Sequence, residues 1–286
     1  MSTVAPTSAG PTGAAAPGPG AIVDAHGPGP AERLRWAVGD ALLMTWRNLM
    51  TIRRVPQLLV FSLIQPFIFV LLFRYVFGGA IQVQGVDNYV DYLMPGVFAQ
   101  TVVFGALNTA VGLAEDRSKG LLERLRSLPM ARSAVLAGRT LADSTRNVGV
   151  VIMMVAVGFA VGFRIHAGVP ALLGGLAVLV VFGFAMSWLF ALVGLAVTGG
   201  ETAQAAGFPV LAPLVFASSS FVEPRTMPHW LRLWAEHQPV SVTVDAVRAC
   251  VLGGPTAGKV LASLAWSAGI IVVLAPLAIR RYRTTV

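Results

Sequence analysis

Charge is scarce in this chain. Of its 286 residues only 12% are Asp, Glu, Lys or Arg, while 56% are hydrophobic. A soluble domain carries about a quarter charged residues, and so few charges cannot cover the surface of so apolar a chain in water. That excludes a soluble fold and points to an integral membrane protein. Cysteine is nearly missing as well: the single Cys250 excludes an intrachain disulfide and a metal–thiolate cluster. Residues 1–31 contain no Lys or Arg and one charge, Asp24. Such an Ala/Gly/Pro-rich tract buries too little apolar surface to offset its ordering entropy, so a disordered tail is expected. Lacking a basic start and an apolar core, it does not read as a signal peptide. No Ser-His-Asp order and no embedded carboxylate pair argues for an enzyme.

What is present is a series of long apolar runs. A bilayer core about 30 Å thick takes roughly 20 residues of helix at about 1.5 Å each. Six segments meet that length to differing degrees: 57–77, 92–114, 141–163, 171–197, 205–222 and 260–279. The fifth is short and broken by Pro209 and Pro213, which spans tolerate where neighbouring helices satisfy the freed backbone groups. With the N-terminus inside, segments 32–56, 115–139, 198–205 and 280–286 hold 14 basic residues and the opposite loops 5. Both termini and the 115–139 loop are therefore expected in the cytoplasm. The same bias accounts for the net charge of +8 without a nucleic-acid partner. Before the first span, residues 32–55 interleave Leu34, Val38, Leu42, Leu43, Trp46 and Leu49 with basic residues, as expected of an interfacial helix lying against phospholipid phosphates.

Between the second and third runs lies AEDRSKGLLERLRSLPMARS, residues 114–133, a concentration of charge in a chain poor in it. Within it Leu121, Leu122, Leu125 and Leu128 form one apolar stripe at helical spacing, with Glu123, Arg124 and Arg126 on the other sides and Pro129 as the stop. Ser118 is placed to cap this helix, and Glu115 and Lys119 make a favourable i,i+4 pair. About three turns of helix are marginal alone in water. The stripe must dock on the membrane or in a groove of another protein; a lipid-facing linker is the plain alternative.

The order of these features resembles the daunorubicin-resistance type of ABC-2 permease, the membrane subunit of an exporter whose ATPase is a separate polypeptide. The likeness rests on E-D-x-x-K-G-L-L-E-R-L-R-S-L-P-M beginning at Glu115, FRYVFGGA (73–80), Tyr92-Leu93-Met94-Pro95-Gly96, and Asp143 and Arg146 of LADSTR. SSSFVEPRTMPHWL (218–231), QPVS (238–241) and PLAIRRYR (276–283) extend it over nearly all of residues 31–286. One departure is Gln238, where the family usually has Asn. The resemblance implies an all-α integral membrane protein: six transmembrane helices, an N-terminal interfacial helix, a cytoplasmic coupling helix and outward re-entrant helices before the last span. It implies that Glu115, Lys119, Gly120, Leu121, Leu122, Glu123, Arg124, Leu125, Arg126, Leu128 and Pro129 engage the ATPase, with Asp143 and Arg146 supporting that helix. Two ATPase subunits carrying ATP and Mg²⁺, and a second permease of the same or a sister chain, would complete the machine in the cell membrane. This chain itself would hold no cofactor.

Two decoys are set aside. GGPTAGKV (253–260) approaches a phosphate-binding loop but has Val260 where a hydroxyl is needed, and it follows the helical pattern VDAVRACVL rather than a strand. Glu223, His229, Glu236 and His237 share one loop at spacings that put no three on one helix face. That loop reads instead as two short amphipathic helices broken at Gln238-Pro239, with Trp230 and Trp234 suited to an interfacial belt.

Polar residues inside the spans are few: Ser62, Gln65, Gln100, Asn108 and Ser187. No charge is expected at mid-membrane, where an ion-coupled carrier often needs one, which favours an external motor. Gly158 and Gly162 offer a G-x-x-x-G face for close helix approach. A translocation path along Gln65, Phe69, Gln100, Phe104, Trp188 and Phe216 is expected for hydrophobic or amphipathic drugs or lipids. The competing readings are a self-sufficient secondary carrier, which would need internal repeats around a midplane site, and a membrane anchor or assembly subunit.

Overall fold

The computed structural model describes Gly39, Leu43, Thr45, Trp46, Met50, residues 57–76, Gly78, and residues 88–121 and 132–285. All regular secondary structure among the described residues is helical. Helix α1 (Gln57–Leu71) runs on into a π turn, Leu72–Val76. Then come α2 (Tyr89–Ser118), α3 (Arg132–Val161), α4 (Val169–Ala196), α5 (Gly200–Phe216), α6 (His229–His237), α7 (Pro239–Leu252) and α8 (Ala257–Thr285). Four of these, α2, α3, α4 and α8, contain stretches long and apolar enough to cross a membrane. The chain is thus a multi-pass membrane protein.

Local chemistry sets the ends. Asn88 caps α2 by accepting the Val90 N–H at 3.3 Å, accepts Arg74 Nη1 at 3.0 Å, and donates from Nδ2 to the Gly162 carbonyl. One side chain thereby gathers the end of α1, the start of α2 and the end of α3. At the same end His166 and Ala167 donate their N–H groups to Val251 of α7. At the far end Gly199 donates to Ala114, and Arg117 reaches the carbonyls of Leu195 and Val197, collecting α2, α4 and α5. α2 and α4 thus both run from the Asn88 end to the Arg117 end, parallel to each other. They form the centre of the core, with α4 also packing on α8, α7 and α3. Two glycines permit the closest approaches: a Cβ on Gly194 would lie 2.5 Å from the Ala110 carbonyl oxygen, and one on Gly96 would collide with Ser220.

The helices differ from the apolar runs in instructive ways. α2 extends through Asp116 and Arg117 to Ser118, and α3 begins at Arg132, nine residues before the expected third span. Ser118 does not start a new helix: its hydroxyl donates back to the Glu115 carbonyl at 2.8 Å, closing α2, and Gly120 then turns with φ 66°. Pro209 and Pro213 lie inside a continuous α5 rather than breaking it. The GxxxG face is not formed, because Gly158 meets Met94 while Gly162 lies past the end of α3 with φ 103°. Residues 253–256 form a turn from α7 into α8, which takes up 257–260, with Gly253 and Gly254 at positive φ. The tail 1–31 and most of the expected interfacial helix fall outside the described residues. Of that helix, Leu43 and Trp46 are exposed, and the Thr45 hydroxyl donates to Gly138 of α3.

Candidate functional site

Two regions bring sequence-expected residues together. The first is a cavity of about 290 Å³ between α1, α2, α3 and α5. Gln65 enters from α1, Gln100, Phe104 and Asn108 from α2, and Gln204 from α5. Gln65, Asn108 and Gln204 are exposed at its rim, whereas Gln100 is 1% exposed and its Oε1 has no hydrogen-bond partner among the described residues. The far wall is α3. Asn147 is buried across Gly105, where a Cβ would collide with its amide, and donates to the Val102 carbonyl at 3.5 Å. Arg146 donates from Nη2 to the Gly105 carbonyl at 2.9 Å while its buried Nε stays unpartnered.

Arg146 corrects an expectation. It sits at the level of Gly105, near the middle of α2, so the bundle does carry a charge deep inside, and Arg146 lines the cavity. Phe69, Phe216 and Trp188 are not among the cavity-lining residues. Phe69 and Phe216 instead meet each other at 6.1 Å and share Phe221 as a third ring. Trp188 is buried in a separate cluster with Leu113, Leu136 and Tyr282, set edge-on to Phe184. Sequence reading missed Asn147 and Gln204; a lone amide within an apolar helix was the available signal.

The second region is the end of α2. Arg139 of α3 bridges Asp116 at 2.6 Å and Asp143 at 3.7 Å, and Asp143 accepts the Thr109 hydroxyl at 2.7 Å. Asp143 therefore joins α2 to α3 at Thr109, six residues before the first expected coupling residue, Glu115. Glu115 and Lys119 pair at 3.1 Å as expected, on the exposed side. Leu121, expected on the docking ridge, packs against the chain's own Leu113–Leu136–Tyr282 cluster. Leu122, Glu123, Arg124, Leu125, Arg126, Leu128 and Pro129 lie outside the described residues. At the opposite end Arg248 of α7 stacks 3.7 Å over the Tyr92 ring, pairs with Asp245 and donates to the carbonyls of Tyr92 and Ser219. Gln238, the departure from the family pattern, donates to Leu214 and Ala217 at the end of α5. Three of the four residues suggestive of metal have other engagements: Glu236 pairs with Arg232, Glu223 with Arg225, and His237 Nδ1 lies 3.0 Å from the Leu233 carbonyl.

The family model that matches this bundle is that of the ABC-2 type transporter, over residues 40–252. The chain belongs to the ABC-2 type transporter family. Among curated relatives, it is 37% identical to the daunorubicin resistance ABC transporter permease protein DrrB1 of Streptomyces coeruleorubidus, over 86% of this chain and 87% of that one. It is 31% identical to the probable doxorubicin resistance ABC transporter permease protein DrrC of Mycobacterium tuberculosis, over 88% and 91%. A putative transport permease, ycf38, of Pyropia yezoensis is 27% identical over 76% and 73%. The chain is thus the membrane permease of an ABC transporter rather than a catalytic enzyme, and its family implies an ABC ATPase as partner. The ABC-2 permease thus has two polar regions: a cavity walled by four helices, and a charged clamp where α2 and α3 meet.

Proposed function

We propose that this chain is the permease of an ATP-driven exporter of hydrophobic or amphipathic compounds, in the cell membrane with both termini cytoplasmic. α1 with its π turn, 15 and 5 residues, and α5, 17 residues, complete six spans with the four longer helices. α6 and α7 enter and return as re-entrant helices. The observation that carries the reading is the cavity's rim. Gln65, Asn108 and Gln204 are exposed on the flank of an apolar bundle, alongside Ile64, Phe67, Ile68 and Phe208. Amides facing hydrocarbon are costly, so this flank is read as facing a second permease, same or sister, with the path between the two. ATP and Mg²⁺ belong to two copies of the partner ATPase.

Residues 115–129 are assigned the coupling role. The Asp116–Arg139–Asp143 clamp makes the ends of α2 and α3 one rigid unit, so a push on the loop joining them is delivered to both helices and to the cavity wall they share. Leu125→Asp should abolish co-purification of the ATPase and ATP-driven export while leaving membrane insertion intact; unchanged co-purification would refute the docking role. Topology can be read by thiol labelling, since the single native Cys250 is buried. A cysteine introduced at position 125 should react only from the cytoplasmic side.

A further inference from the structure

The deep end of the cavity has a chemistry of its own. Arg146 is the one charged residue lining it among the described residues, and no carboxylate lines it. Asp143, one turn away on α3, is already engaged by Thr109 and Arg139, and the ion pairs among the described residues do not include Arg146. Two buried polar atoms there have no hydrogen-bond partner among the described residues: Arg146 Nε, a charged donor, and Gln100 Oε1, an acceptor on a side chain 1% exposed. A cationic side chain held deep in a membrane is costly and marks a functional site by default, and a buried polar group left unmade adds its own penalty. The two atoms call for one guest that accepts from a guanidinium and donates to an amide oxygen. At about 290 Å³ the space lies at the lower limit of small-molecule pockets, about 300–1,000 Å³, which suits a head group and not a whole drug-sized molecule. The remainder of such a guest would lie along the exposed apolar residues beside the rim, Ile64, Phe67 and Ile68 of α1.

We infer that the Arg146–Gln100 end of the cavity is a subsite for the head of an acidic, hydroxyl-bearing amphipath, the acid oxygen accepting from Arg146 Nε and a hydroxyl donating to Gln100 Oε1. A phosphoglycerol head has both groups. A choline head lacks the hydroxyl and brings a cation towards Arg146. The assignment of this amphipath as cargo rests on the exporter reading; its binding does not.

The test uses the purified permease–ATPase complex with fluorescent phosphatidylglycerol, phosphatidylcholine and phosphatidylmethanol, the last acidic but without a hydroxyl. Binding in detergent micelles should rank phosphatidylglycerol first. Arg146→Gln should weaken it about tenfold or more, as expected for a lost charge-assisted bond, and bring it level with phosphatidylcholine. Gln100→Leu keeps the Arg146–Gly105 contact and should erase only the preference over phosphatidylmethanol, a change of about two- to tenfold. If Arg146→Gln does not fold, Gln100→Leu decides. Equal binding of the three lipids by the unaltered complex, or a Gln100→Leu variant with preferences intact, overturns the subsite. Competition by free glycerol phosphate as strong as that of the lipid overturns its assignment to an amphipath. In proteoliposomes the two readings separate. Selective binding without ATP-driven movement sinks the exporter and leaves the subsite standing; ATP-driven movement indifferent to the head group does the reverse.

Discussion

α2 and α8 are nearly equal in length, 30 and 29 residues, yet the apolar core of α2 is 78% buried and that of α8 11%. Their side chains invert the rule for soluble proteins. The buried helix carries Asp91, Gln100, Thr101 and Thr109, while the exposed one shows Leu261, Trp266, Val272 and Val273. In lipid an apolar surface loses nothing by exposure, so polarity migrates to the protein's interior, and close packing replaces the hydrophobic effect in holding helices together. The sharpest way to break this contrast is to give each helix partner the same insult. Gly194 of α4 packs its bare Cα against the Ala110 backbone of α2, whereas nothing lies within 4 Å of a Cβ built on Gly269 of α8. Gly194→Val should force the two central helices apart and abolish a monodisperse peak in size-exclusion chromatography. Gly269→Val should leave both yield and melting temperature near wild type. Equal tolerance would mean that the α2–α4 seam is not the core.

A second test probes what polarity does inside α2's surroundings. Asp143 is 6% exposed, accepts the Thr109 hydroxyl and faces Arg139. Removing one member of a buried pair strands the other, at a cost of about 3–5 kcal/mol where the pair is fully enclosed. Arg139 keeps Asp116, so Asp143→Ala should cost about 1–3 kcal/mol, read as a fall in melting temperature of the detergent-solubilised protein. The variant should also uncouple ATP hydrolysis from transport more than it lowers ATPase binding.

How much of this was legible in the sequence depends on which force set each feature. Long apolar runs revealed α2, α3, α4 and α8, because bilayer thickness fixes their length. Their ends were hidden. Hydropathy falls at Ala114, but α2 continues because Asp116 finds Arg139 across the seam and Arg117 finds the end of α4, pairings that are invisible in one dimension. Gln65, Gln100 and Phe104 were singled out as rare polar or aromatic positions, and the fold brings all three to one cavity. Phe69, Trp188 and Phe216, expected beside them, are packed elsewhere. That a charge, Arg146, lies deep in the bundle is not legible in one dimension. Only the tertiary structure shows the Gly105 carbonyl that lets it sit deeper.

The smallest expected effect lies on α8 itself. A polar tie from it to α7 is the hydrogen bond between Ser263 and Thr243, 2.8 Å long and wholly buried, with Ser267 bonding back to the Ser263 carbonyl of its own helix. Such a bond between membrane helices is worth about 0.6 kcal/mol on average, because the separated helices also find partners. Ser263→Ala should therefore lower the melting temperature by a degree or two and leave export untouched. Thr243→Ala combined with it should add almost nothing, since one bond cannot be lost twice. A double variant as damaged as Asp143→Ala would show that α8 is held by polarity as α2 is, and the contrast between the two helices would collapse into a difference of exposure alone.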